Sequence, residues 1–137
     1  MADAYLLDTC TIIAALKGEP RSLLNRLASL ASSRLHLSSL VLAELLYGAE
    51  KSQRTAQVLR AVDVVKQGFE ALPFEDVDAA AYARIRAVLE RKGAGIGPLD
   101  MLIAAQAVAR DLVLVTDNLR EFRRVPGLRC ENWMRSK

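Results

Sequence analysis

Short apolar runs alternate along the chain with longer segments in which apolar residues recur every three or four positions. The runs at 5–7 and 112–115 each end at a polar residue, which is typical of buried strands in a parallel sheet. Weaker strand candidates lie at 34–38, 69–74 and 128–132. These segments predict a central, mainly parallel sheet of four to five strands.

The helical period fills the segments between the predicted strands. It indicates helices at 21–33 after Pro20, at 40–49, at 58–62 after Ser52, around 82–89 and after Pro98. Strands that alternate with helices predict an α/β fold with helices on both faces of the sheet. Because no repeat, low-complexity segment or linker divides the chain, we expect a single domain over residues 1–137.

Composition supports a folded domain and suggests where it is found. With 137 residues, of which 52% are hydrophobic, the chain can bury a core without disulfides. Its two cysteines, Cys10 and Cys130, fit neither a disulfide scaffold nor zinc-ligand spacing. The start MADAYLLDTC does not resemble a secretory signal, and no apolar stretch reaches membrane-spanning length. We therefore expect a cytoplasmic protein that does not span a membrane.

The end of the chain is more basic than the rest. The net charge is +3, and residues 120–137 contain only two acidic residues against six basic ones, namely Arg120, Arg123, Arg124, Arg129, Arg135 and Lys137. Such a basic segment could bind the phosphate backbone of a nucleic acid, although arginine-rich chain ends are commonly solvated surface. Charge alone leaves both interpretations open.

Glu44 lies inside a predicted helix among apolar neighbours such as Leu40 and Val41. Because an unpaired carboxylate loses several kcal/mol when it leaves water, its position calls for a cation or a metal ion. No lysine or arginine lies within four positions. A distant arginine such as Arg84 or Arg86 is the structural alternative.

Asp8 and Asp117 follow the two clearest predicted strands. Ligands of parallel sheets bind beyond the carboxyl ends of the strands, so neighbouring strands would bring these carboxylates together. Each aspartate could instead cap the helix that follows it, with a benefit of about 1 kcal/mol.

Asp100 falls in the first turn of the helix predicted to start at Pro98, where its charge would meet the positive end of the helix dipole. Its helical neighbours Ile96, Ile103 and Ala104 are apolar, so we expect it to point inward. Inward-facing acids at 8, 44, 100 and 117 would repel one another. A hard cation such as Mg²⁺ or Mn²⁺ relieves that repulsion, because it prefers oxygen ligands.

Four segments together resemble the PIN-domain family, and more narrowly its VapC-type toxins of bacterial toxin–antitoxin pairs. They are LLDTC at 6–10, LAELLYGAEKS at 42–52, IGPLDMLIAAQA at 96–107 and LVTDNLREFRRVPGL at 114–128. The resemblance implies a three-layer α/β/α PIN-like domain. It also implies an endoribonuclease that depends on one or two Mg²⁺ or Mn²⁺ ions and hydrolyses RNA phosphodiester bonds by metal-activated water.

By the same resemblance, the catalytic and metal-binding carboxylates would be Asp8, Glu44, Asp100 and Asp117. Asp8 and Asp100 would bind the metal directly, and the other two directly or through water. The positions that would orient these acids are Thr9, Thr116 and Asn118.

The resemblance further implies a homodimer and a cognate VapB-type antitoxin protein, whose tail would fill the acidic site. The predicted helices at 21–33 and within 40–66 are apolar enough to form a groove for a partner helix, or simply to form core.

Other chemistry fits the sequence less well. A ribonuclease with paired histidines is excluded, because His36 is the only histidine. Cys10 has no histidine base in a motif nearby and is interpreted as a small core filler. A phosphatase of the haloacid-dehalogenase kind needs a second aspartate at position 10, where this chain has cysteine. The remaining alternative is a non-catalytic RNA- or protein-binding module on a PIN fold.

Overall fold

The computed structural model describes residues 2–135, which fold into five strands and seven α-helices. In chain order these are β1 (Tyr5–Leu7), α1 (Thr9–Lys17), α2 (Arg21–Ala28), β2 (Leu35–Ser38), α3 (Ser39–Glu50), α4 (Thr55–Gly68), β3 (Ala71–Leu72), α5 (Asp76–Arg91), α6 (Pro98–Ala109), β4 (Val113–Val115), α7 (Leu119–Phe122) and β5 (Cys130–Glu131). A 3₁₀ turn, Ser32–Arg34, precedes β2. The predicted α/β fold is confirmed.

The strands form one parallel sheet in the order β3-β2-β1-β4-β5. In the central strand Leu6 pairs with His36 of β2 on one side and with Leu114 of β4 on the other. β1 and β4 are buried along their whole length, as continuous apolar runs predict. The chain builds the sheet outward from β1 in both directions. The space beyond the ends of β1 and β4 is therefore the point at which this topology places a ligand.

The two ends of α1 are determined by residues that the sequence provides locally. Asp8 caps its start by accepting a hydrogen bond from the amide of Thr11, and Gly18 ends it in the left-handed conformation with φ of 77°. A glycine adopts that conformation without the steric penalty of a Cβ atom. The capping alternative is confirmed for Asp8, whereas the residue at the N-cap of α7 is Asn118 and not Asp117.

An ion pair holds the α5 start against the end of α6. The carboxylate of Asp78 is completely buried, and Arg110 donates to its two oxygens at 3.2 and 3.0 Å. The guanidinium of Arg110 also reaches Glu75 at 2.8 Å. Asp78 in turn accepts from the amide of Glu75 at 2.8 Å, which closes a capping box at the start of α5.

One predicted boundary was wrong. The helix predicted at 21–33 ends at Ala28, and the 3₁₀ turn follows it. The helical periods predicted at 40–49 and after Ser52 are confirmed as two helices, α3 and α4, which a turn at 51–54 separates. None of the helices in residues 2–135 is long and apolar enough to cross a bilayer.

Candidate active site

The fold brings the four candidate carboxylates into one cleft at the carboxyl edge of the sheet. Asp8 comes directly after β1 and Asp117 follows β4, while Glu44 projects from α3 and Asp100 from the first turn of α6. The cleft encloses about 200 Å³. Its lining comprises these four acids with Thr9, Cys10, Ile103, Asn118 and Phe122.

Asp8 is the most buried of the four acids and is 7% exposed. Its Oδ1 accepts from the Thr11 amide at 3.1 Å and from the Cys10 thiol at 2.9 Å. The hydroxyl of Thr11 donates to the carbonyl of Val115 at 3.0 Å, so this turn is fastened to β4. Asp8 can therefore cap α1 and line the cleft at the same time, because the capping hydrogen bond uses only one of its carboxylate oxygens.

Glu44 is oriented by a side chain from a different helix. The hydroxyl of Thr9 donates to its Oε1 at 2.6 Å. The predicted arginine alternative is wrong within residues 2–135, where no ion pair reaches Glu44 and Arg86 pairs with Glu90. The carboxylate is only partly buried because it opens on the cleft.

Cys10 lies between two of the acids, so its interpretation as a core filler was wrong. Its sulfur is 2.9 Å from Asp8 Oδ1 and 3.0 Å from Asp117 Oδ1, and its single thiol proton can serve only one of them at a time. Burial, followed by the charge of Asp8, raises the pKa of this thiol strongly. Cys10 therefore stays protonated and donates its hydrogen bond to one of the two carboxylates rather than acting as a nucleophile.

Asp100 is the carboxylate whose acidity the site changes most clearly. Burial and the charges of Glu121, Glu44 and Asp8, in that order, raise its pKa to about 6. A cluster of acids without a neighbouring cation has this effect, because each negative charge disfavours the next.

The loop after β4 contains two of the three polar residues that were predicted to orient the acids. The hydroxyl of Thr116 accepts from the Asn118 amide at 3.0 Å and closes the turn around Asp117. The Asn118 side chain donates to Glu121 Oε2 at 2.6 Å. Asp117, at the apex of this turn, is exposed.

Glu121 is a site residue that the sequence analysis missed. Its second oxygen accepts from the Gly97 amide at 3.0 Å, so this one carboxylate joins the loop after β4 to the residue that precedes α6. Asp100 follows three positions after Gly97, and Glu121 thereby fixes the helix start that carries it. The sequence showed only an acid in a basic segment, and the three-residue spacing from Asn118 was the available signal.

Replacing Glu121 by glutamine is expected to lower the pKa of Asp100 from its value of about 6 toward the ordinary value of 3.8. The reason is that glutamine keeps one of the two acceptor oxygens of Glu121 but removes the charge with the largest effect among the three neighbouring carboxylates. Carboxyl-carbon NMR titration of the metal-free protein measures the shift. Glu90→Gln, on the exposed part of α5, is the control that leaves the titration of Asp100 in place. An Asp100 pKa equal in both variants would contradict the charge assignment.

The donors of the cleft suit a hard divalent cation. All four carboxylates offer oxygen, and among residues 2–135 no arginine or lysine lines the cleft. In the described part of the chain, no group of three or more His, Cys, Asp or Glu side chains is arranged so that it could hold a metal ion by itself. Mg²⁺ does not require such a group, because it typically takes one or two carboxylates and keeps several waters.

Comparison with known proteins gives consistent results across the whole chain. The profile of the PIN domain family matches residues 5–128. The chain is 43% identical to the tRNA(fMet)-specific endonuclease VapC of Salmonella typhimurium, over 94% of this chain and 97% of that protein. It is 40% identical to ribonuclease VapC2 of Rickettsia felis, again over 94% and 97% of the two chains.

Solved structures share the fold. A chain in the DNA-bound VapBC of Salmonella typhimurium superposes with a TM-score of 0.90 at 42% identity, covering 96% of this chain and 99% of the other. One in VapBC2 of Rickettsia felis, bound to a DNA fragment from its promoter, gives a TM-score of 0.88 at 38% identity, with coverages of 95% and 98%.

Proposed function

The chain belongs to the PIN-domain family, and from this premise we propose that it is a VapC-type endoribonuclease that hydrolyses RNA phosphodiester bonds with Mg²⁺ or Mn²⁺. It would be the toxin of a toxin–antitoxin pair. The observation that carries the proposal is the cleft in which Asp8, Glu44, Asp100 and Asp117 converge, with no cationic side chain of residues 2–135 among them. Each acid is supplied by a different part of the chain, and helix capping alone does not explain the set.

Asp8 and Asp100 are the residues we assign as direct metal ligands. Asp8 uses Oδ1 for its cap and thiol contacts, which leaves Oδ2 outside these bonds. Asp100 is partly buried beside the charges of Glu121, Glu44 and Asp8, so a cation would stabilise its ionised form. Glu44, oriented by Thr9, and Asp117 complete the site directly or through water.

When bound, the ion supplies positive charge beside the RNA phosphate and lowers the pKa of water. The role of the protein is to position the reacting groups and accept a proton. Asp117 is exposed at the mouth of the cleft and can accept the proton of the attacking water, with Glu44 as the alternative acceptor. Attack in line at phosphorus breaks the bond to the 3′-oxygen, which takes up a proton. The products carry a 5′-phosphate and a 3′-hydroxyl.

An apolar groove beside the cleft suits the proposed VapB-type antitoxin. It lies between α1, α3 and α4, encloses about 510 Å³ and includes the exposed side chains of Ile13 and Leu16. Glu44 lines both this groove and the carboxylate cleft, so a helix bound in the groove could send its tail to the acids. The similar solved structures are VapBC complexes, which supports this partner. The homodimer stays a prediction, and analytical ultracentrifugation would measure it.

The relatives suggest which RNA to test first. Two of them, from Salmonella typhimurium and Shigella flexneri, are named as tRNA(fMet)-specific endonucleases. We propose the same class of substrate for this chain.

Purified protein is expected to cut initiator tRNA in Mg²⁺ or Mn²⁺ and to stop when a chelator removes the metal, because the acids repel the phosphate when no cation is bound. Gel electrophoresis of end-labelled tRNA measures cleavage, with re-addition of Mg²⁺ as the control for irreversible damage. Elongator methionine tRNA tests selectivity. Cutting that continues in the chelator would contradict the proposal, and a protein that binds the tRNA without cutting it would support the non-catalytic alternative.

A further inference from the structure

A second cleft continues from the carboxylate cleft and is lined by arginines. Asp117 and Asn118 line both clefts. Beyond them the second cleft encloses about 420 Å³ and widens into a depression of about 770 Å³. We call the two together the basic groove; its cationic residues are Arg26, Arg120, Arg123 and Arg135.

The arginines of the basic segment 120–137 are of two kinds, those that bind other parts of the protein and those that line the groove. Arg129 binds Asp3 at 2.8 Å and Asp111 at 3.1 Å, and Arg124 donates to the carbonyl of Gly95 at 3.2 Å. These two therefore fasten loops together. Lys137 lies outside the described residues.

Three other arginines of residues 120–137 line the groove and do not fasten loops together. Arg120, Arg123 and Arg135 are exposed, and within residues 2–135 none of them takes part in an ion pair. Their charges therefore stay available to an anion that enters the groove.

The far end of the groove has a guanidinium that is already held in place. Arg26 lies over the ring of Trp133, with its Cζ atom 5.1 Å from the ring centroid, and donates to the hydroxyl of Tyr5 at 3.3 Å. Its ion pair with Glu131 is long, at 3.8 Å, and both side chains are more than 40% exposed. Because aromatic stacking already orders the Arg26 side chain, a phosphate that binds to it loses less free energy to side-chain conformational entropy.

We infer that the basic groove binds the sugar–phosphate backbone of the RNA on one side of the bond that is cut, an inference that rests on the proposed function. The carboxylate cleft repels a polyanion, so binding energy must come from beside it. The groove supplies that energy where Asp117 and Asn118 join the two clefts. Guanidinium groups pair with phosphate oxygens through two parallel hydrogen bonds, and contacts of this kind position a strand without reading its sequence.

The test measures binding of a fluorescent oligouridylate of about ten nucleotides, without divalent metal so that nothing is cut. Arg123→Gln is expected to weaken binding about fivefold at about 0.1 M salt, because the counterion-release term for one phosphate of a single strand scales as salt to a power of about −0.7. The slope of log affinity against log salt is negative, and its magnitude should decrease by about 0.7. Replacing Arg120, Arg123 and Arg135 together should weaken binding about a hundredfold.

Two controls separate the groove from general charge. Arg84→Gln removes an exposed arginine of α5 that lines neither cleft, and its RNA affinity should change far less. Arg123→Lys keeps the charge and should restore most of the affinity and the salt slope. In Mg²⁺, Arg123→Gln should raise KM for initiator tRNA and leave kcat nearly unchanged, since the arginine does not line the carboxylate cleft.

The outcomes distinguish this inference from the proposed function. If wild-type cleavage requires Mg²⁺ and Asp8 but Arg123→Gln binds RNA as well as Arg84→Gln does, the inference is overturned and the function stands. If the groove variants lose affinity while wild-type protein cuts no RNA, the proposed function fails and the groove remains an RNA-binding surface. Circular dichroism of the triple variant verifies that the fold is retained.

Discussion

Asp8→Asn is expected to lower the rate of RNA cleavage on the order of a thousandfold while leaving the fold intact. Loss of one group directed at developing charge typically has an effect of this size. Asparagine caps a helix about as well as aspartate, so the bond from the Thr11 amide at 3.1 Å can persist. What the variant loses is a negative charge in the cleft. Single-turnover cleavage in Mg²⁺, with circular dichroism of the same sample, measures both expectations.

Asp63→Asn provides the matched control for this experiment. Asp63 is exposed on α4 and does not line the carboxylate cleft, so the same chemical change should leave cleavage unchanged. Asp8→Ala separates the two roles of Asp8, because it should also destabilise α1 by about 1 kcal/mol through the lost cap. Nearly normal cleavage by Asp8→Asn would show that this carboxylate is not essential.

Arg110→Met is expected to destabilise the protein by about 3 kcal/mol or more, which lowers Tm by roughly 10 °C for a chain of this length. The carboxylate of Asp78 is completely buried, and Arg110 supplies the charge that compensates it at 3.0 Å. Methionine fills space but leaves that anion without its cation. Chemical denaturation with a constant m-value measures the change.

Two further variants test the cause. Arg86→Met breaks an exposed ion pair with Glu90, where the loss should be no more than about 1 kcal/mol. In the double variant Arg110→Met, Asp78→Asn, the buried group is neutral and can still accept from the Glu75 amide, so part of the lost stability should return. Equal losses for Arg110→Met and Arg86→Met would mean that burial of Asp78 contributes little.

Local patterns were sufficient for the main elements of the fold. The runs at 5–7 and 112–115 identified β1 and β4 because strands buried on both faces leave no polar position to obscure the pattern. Pro98 indicated the start of α6, because its fixed φ suits the first helical turn. The predicted boundary of α2 was wrong because its apolar residues continue to Leu30 and Ala31, whereas the helix ends at Ala28.

The candidate site was only partly accessible from local patterns. Asp8 and Asp117 could be placed together, since both follow neighbouring strands at the topological switch point. The orientation of Glu44 could not be predicted, because Thr9 lies 35 positions away in sequence. The same holds for Glu121, whose contact with Gly97 spans 24 positions.

The amino-acid sequence by itself thus determined the α/β fold class, the four acids and the excess of arginine near the carboxyl end, because each depends on residue type and short-range periodicity. The tertiary structure alone decided that Cys10 lies between two carboxylates, that Glu121 fixes the start of α6, and which arginines face the groove. The physical reason is that a charge acts through the distance and solvent that separate it from its neighbours. Only the folded chain sets those distances.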